Sequence, residues 1–227
     1  MRISTDEAIL YQNGFITINN TLLFSWIVMF ILIVFAILLR ISINKNKQNN
    51  KNNQIPTGIQ NFFEALLDCI DGQIRQISTR KIEIVFPFIA TLFLYIVLSN
   101  LISLIPLADS PTGSLSTTLA LAFSMFIFSI WFGIKDKGFI GYFKKYFQPI
   151  PLLLPLNLIS DLSKIVSLSV RLYGNIMSSG VILIILSQIT FLSAGFPIII
   201  SLLSTITGVI QAYIFSALSM IAISSDS

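Results

Sequence analysis

Arg171 is the residue of this chain best placed to do electrostatic work in an apolar surrounding. It stands in SLSVRLYGNIMSSG, near the middle of a largely apolar run from Leu156 to about Thr190. A guanidinium keeps its charge at any physiological pH, because its pKa exceeds about 12, and at mid-bilayer it costs between ~2.5 and well over 10 kcal/mol depending on the reference state. Something must compensate it. Between Asp161 and Asp226 the chain contains no Asp or Glu, so the counter-charge is expected on another polypeptide or in water. Two blander readings are an anchor at a helix end and an organiser of structural water between helices. Lys164 lies seven residues earlier, two turns along a helix and therefore on a similar face. Near an interface it reads first as a snorkelling cation.

Hydroxyl and amide groups gather around that arginine. Ser163, Ser167, Ser169, Ser178, Ser179 and Ser187 share its run, and Ser201, Ser204, Thr205, Thr207, Ser216 and Ser219 occupy the next. Asn175, Gln188, Gln211 and Tyr213 add further polar groups. Taken singly, most of these hydroxyls are expected to bond the backbone of their own helix. Together they are candidates to line aqueous access routes, with Ser178, Ser179, Ser204, Thr207, Tyr213 and Lys164 the foremost. Gly174, Gly180 and Gly208 would let helices approach closely. Other chemistry is excluded. Cys69 is the sole cysteine and there is no histidine, which removes an internal disulfide, a His/Cys zinc site and any imidazole mechanism. No GxxxxGK[ST] string is present to cradle a phosphate. No metal and no cofactor is expected.

The elements that must hold these groups are membrane spans. Of 227 residues, 55% are hydrophobic and 11% charged, with 19 Phe, and mean hydropathy is +0.86; an ordinary soluble domain carries about 25% charge. Lipid must therefore solvate much of the surface. The net charge of +4 and pI near 9.3 are explained by topology rather than by nucleic acid, since the basic residues sit between apolar runs. The first span is placed at 22–42, on the uncharged run Leu22 to Leu39. Asp6 and Glu7 precede it and Arg40, Lys45, Lys47 and Lys51 follow, the wrong polarity for a cleaved signal. The Lys/Asn-rich stretch 44–54 reads as a linker. Residues 56–80 carry Phe62, Phe63, Leu66, Leu67, Ile70, Ile74 and Ile77 at three- and four-residue steps and read as an amphipathic helix on the cytoplasmic face. Spans at 82–105 and 114–134 follow, joined by Leu107 to Gly113. The runs 156–190 and 196–224 exceed the ~20 residues that cross hydrocarbon upright, so strong tilt is expected. Eleven of the 14 basic residues fall on one side of this arrangement, which places the N-terminus outside and the C-terminus in the cytoplasm.

SLSVRLYGN together with ITGVIQAYIFSAL, on two successive long runs, resembles the a-subunit of the membrane sector of rotary F-type ATP synthases. IPTGIQNFFEALL, PFIATLFLYIVLSNLISLIP, TGSLSTTLALAF and GYFKKYFQPIPLLLPLN resemble further segments of that family, so the likeness covers most of the chain. PTGSLSTTLALAF with LLSTITGVIQAYIF is closer still to the N-type branch, a bacterial and archaeal offshoot thought to move sodium. The resemblance implies an all-α integral membrane protein of five spans and one cytoplasmic amphipathic helix, its last two helices a tilted hairpin against a rotor. It implies ion translocation through two half-channels, with Arg171 facing the c-subunit ring, Asn175 as the asparagine of RLxGN and Gln211 as the glutamine of IQAY. The implied partners are the c-ring, peripheral-stalk b-subunits and the remainder of the complex, in a bacterial inner membrane. The implied role is non-catalytic, ATP being handled elsewhere. Where many members carry a glutamate nine residues after the arginine, or an acid or histidine seven before the glutamine, this chain has Gly180 and Ser204. Access routes lined by Ser and Thr are expected in place of a carboxylate relay. The competing reading is a self-contained secondary transporter with Arg171 binding an anionic substrate.

Overall fold

Long apolar runs become helices because a backbone in hydrocarbon has only itself to hydrogen-bond. The computed structural model describes residues 9–13, 16–49, 72, 82–104, 110–147, 154–187 and 196–226. Within them α1 spans Asn20–Asn49, α2 Ile82–Ile102, α3 Leu115–Phe147, α4 Leu154–Ser187 and α5 Phe196–Asp226. All five are long and apolar enough to cross a membrane, as the hydropathy of the sequence predicts.

Three features depart from the sequence reading. A short antiparallel hairpin, β1 Ile9–Asn13 and β2 Ile16–Asn19, precedes α1; the reading placed no strand there. Helix α1 runs on to Asn49, through the first part of the expected linker 44–54. A helix already nucleated adds residues cheaply, and no Gly or Pro interrupts this one until Pro56. Helix α3 continues past the expected end at 134 to Phe147, but its path breaks at Gly138, where φ is 76° and ψ is 165°. That backbone region is open to glycine at little cost, and it redirects the chain among Lys135, Lys137, Lys144 and Lys145. The expected amphipathic helix over 56–80 lies outside the described residues apart from Gly72.

Packing gathers around α4 and α5: α4 contacts α3 and α5, α5 also contacts α2 and α3, and α1 lies against α2. The central cluster joins Leu92 and Ile96 of α2, Ala122 and Met125 of α3, Ile165, Leu168 and Leu172 of α4, and Ala212 and Phe215 of α5. Small residues such as Ala122 and Ala212, both fully buried, let backbones approach. In lipid, dispersion contacts of this kind hold helices together where the hydrophobic effect does not. A second cluster, toward the end where α3 carries its lysines, contains Val85, Ile89, Phe132, Met220 and Ile223. Beside it the rings of Phe88 and Phe128 stack at 3.8 Å and 9°.

Candidate functional site

Helix α4 has two unlike faces. Ile165, Leu168, Ser169 and Leu172 are buried, whereas Ile159, Leu162, Val166 and Val170 are more than half exposed. Steps of three and four residues keep each set on one stripe. Arg171 lies on the exposed side, two turns from Lys164, and among the described residues it makes no ion pair or hydrogen bond. The guanidinium is therefore presented outward from the bundle, on an apolar face that no part of the described chain covers.

One interhelical bond marks the register of α4 against α5. Ser204 Oγ donates to Ser179 Oγ at 2.9 Å. Arg171 is eight residues before Ser179 and Ala212 eight after Ser204, and in antiparallel helices of equal rise these fall at one level. Gln211 is thus within a residue of level with Arg171, and Asn175 is level with Gly208. Gln211 is buried, with 7% exposure, and Asn175 is half-buried. The side-chain nitrogens Gln211 Nε2 and Asn175 Nδ2 are both enclosed and find no acceptor among the described residues.

The remaining candidates divide. Ser178 Oγ donates to the Asn175 carbonyl at 3.2 Å, Ser179 Oγ to Ile176 at 2.8 Å, and Thr207 Oγ1 to Leu203 at 2.5 Å. These are bonds to the hydroxyls' own helix, the local habit of Ser and Thr. Ser204 differs, being buried and bridging helices. Tyr213 is 48% exposed, turned out beside Ile210 and Val209. Lys164 Nζ donates to Asp161 Oδ1 at 2.8 Å. The structure brings Ser179 and Ser204 together and sets Arg171, Asn175 and Gln211 within about one turn.

One polar group was missed by the sequence reading. Ser99, Asn100, Ser110 and Thr112 are at most 4% exposed. Thr112 Oγ1 donates to Asn100 Oδ1 at 3.2 Å, Ser110 Oγ lies 2.8 Å from Thr112 Oγ1, and Ser110 Oγ donates to the Ser99 carbonyl at 2.9 Å. A 3-10 turn at Pro111–Gly113 holds the segment in place. Asn100 Nδ2 finds no acceptor among the described residues. A Cβ added at Gly208 would stand 2.7 Å from Asn100 Nδ2, so the absence of a side chain there is what admits Asn100 against α5. The sequence signal was an asparagine interrupting the apolar string LYIVLSNLISLIP. Asn100 thereby joins Asn175 and Gln211 in one polar layer.

No group of three or more Cys, Asp and Glu capable of holding a metal occurs among the described residues. Comparison with known proteins gives a consistent answer. The family model described as ATP synthase A chain matches residues 22–224. The chain is 42% identical to "ATP synthase subunit a 2" of Acaryochloris marina over 227 residues, all of this chain and 93% of that one. It is 40% identical to "ATP synthase subunit a 1" of Chlorobaculum parvum over 228 residues, 98% of this chain and 95% of the relative. With "ATP synthase subunit a" of Albidiferax ferrireducens the identity is 40% over 224 residues, covering 98% and 93%.

Proposed function

The chain belongs to the ATP synthase subunit a family, and from that premise we propose that it is the stator of a rotary motor in which Arg171 faces a moving ring of carboxylates. The observation that carries this reading is the position of Arg171, exposed on the unpacked face of α4 and level with buried Gln211. A fixed cation favours the ionised carboxylate beside it, so a rotor site must release its ion before passing and reload after. Without that charge an ion-loaded site could slip past and dissipate the gradient. The buried carboxamides of Asn100, Asn175 and Gln211 support water within the bundle at this level: an unpaired buried donor costs about 1–3 kcal/mol, and ordered water is the usual remedy. Access would then run on either side of Arg171 through this hydrated layer. The c-ring covers the apolar stripe of Leu162, Val166 and Val170, and peripheral-stalk b-subunits hold the stator still. The subunit sits in a bacterial inner membrane with its N-terminus outside and its C-terminus in the cytoplasm, and catalyses no bond chemistry itself.

Arg171→Ala in the reconstituted complex is the test. Gradient-driven ATP synthesis is expected to fall at least about a hundredfold, the scale set by removing about 2.7 kcal/mol or more of charge stabilisation, with the complex still assembled. Retention of half the wild-type rate would overturn the reading. A complex that no longer forms would favour a purely structural arginine, and ATP coupling untouched beside lost solute uptake would favour a transporter.

At the finer level the coupling ion is H+ or Na+: access routes lined by Ser and Thr suit sodium, and water wires along them would equally conduct protons. The family resemblance implies a glutamate at the position of Gly180, or a glutamate or histidine at that of Ser204; with glycine and a hydroxyl bonded to Ser179 there instead, a carboxylate relay is lost and the hydroxyl oxygens of the hairpin are of the kind sodium accepts. Sodium raised from micromolar to millimolar at fixed pH is expected to stimulate ATP hydrolysis and to protect the ring from carbodiimide. Indifference in both assays would assign the motor to protons.

A further inference from the structure

Two charges on α4 are not used by the stator reading. Asp161 shares the inward stripe of Ile165, Leu168 and Leu172, at steps of four, three and four residues, while Lys164 shares the outward stripe of Arg171. Their side chains are 23% and 61% exposed respectively, and they meet at 2.8 Å. Both border a small cavity walled by Phe126 and Ser129 of α3 and Ala222 of α5. The carboxylate thus draws the ammonium sideways, off the face that carries Arg171 and toward the junction of three helices.

We propose that Asp161 is a positioning residue for ion transfer: it holds and neutralises Lys164 so that Arg171 is the single uncompensated cation on the rotor-facing stripe of α4. This rests on the stator reading above. Seven residues separate Lys164 from Arg171, about 10 Å along the axis. A free ammonium there would offer each departing rotor carboxylate a second counter-charge and would repel the cation arriving to reload it. Paired with Asp161, it presents the field of a dipole, which falls off far faster than that of a charge. Release and reloading are then controlled at one point on the stripe.

The experiment is Asp161→Asn in the assembled complex, reconstituted in vesicles, with ATP synthesis followed as ionic strength is varied. A unit charge unmasked at about 10 Å, at an effective dielectric of about 20, is expected to slow turnover about tenfold at low salt. Raising salt from about 20 mM to about 0.5 M should close most of that gap by screening. Adding Lys164→Gln to Asp161→Asn should bring the rate back to within about twofold of wild type at low salt, since the offending charge is then gone. Asp161→Ser, smaller and set beside Ser129, gives the same test where the asparagine does not assemble. A wild-type rate in Asp161→Asn, a salt-independent defect, or a double variant as slow as the single would each overturn the proposal. Arg171→Ala run alongside separates the two ideas. If it still couples, the stator reading falls; if it is inactive while Asp161→Asn shows none of the expected behaviour, only the role of Asp161 falls.

Discussion

Gly208→Ala replaces one hydrogen by a methyl group, and the structure says where that methyl lands. Its Cβ would lie 2.7 Å from Asn100 Nδ2, 2.8 Å from Asn100 Cγ and 3.0 Å from Asn100 Cβ, against about 3.5–4.0 Å for an unstrained contact. Asn100 is fully buried and tied to Thr112, so it can retreat only by breaking that bond or by pushing α2 away from α5. Overpacking of this kind costs about 1–3 kcal/mol, and a lost internal hydrogen bond adds about 1 kcal/mol. Better helix propensity returns at most about 1 kcal/mol. The net expectation is destabilisation of about 1–3 kcal/mol, read as a fall of several degrees in the temperature at which the subunit dissociates from the purified complex. Asn100→Ala in the same chain should relieve the clash, making the double variant more stable than Gly208→Ala alone. An alanine variant as stable as wild type, or two substitutions whose effects simply add, would refute the close approach of α2 and α5.

Phe128→Ala removes one ring of the Phe88–Phe128 stack and is expected to destabilise the subunit by about 3 kcal/mol, measured by the same thermal dissociation. Ser204→Ala deletes the bridge to Ser179 and should cost only about 0.6 kcal/mol, the usual worth of an interhelical hydrogen bond in lipid. Its effect on coupled transport should exceed that small loss, because the bond sets the level of Gln211 relative to Arg171. A Ser204→Ala complex with unaltered coupling would show that the register is fixed by the packed apolar residues instead.

Much of the architecture was legible without coordinates. Uncharged runs of twenty or so residues can do little in lipid but form helices, so the existence of five spans follows from composition along the chain. So does the isolation of Arg171, since no acid stands between Asp161 and Asp226. What required the folded chain was everything that depends on residues distant in sequence. The 3.6-residue period says that α4 has faces, but only contact with Ala122, Met125 and Ala212 decides that Leu168 and Leu172 turn inward and Arg171 outward. Ser179 and Ser204 look like a dozen other hydroxyls until one bond selects them. Asn100 and Gly208 are unremarkable separately and become a matched pair only where α2 meets α5. The break at Gly138 likewise needed the backbone itself, because a glycine permits a positive φ without requiring one. Local sequence settles which segments leave water; the pairing of their faces is settled by shape and by the cost of leaving buried polar atoms unmatched, and those are properties of the assembled bundle.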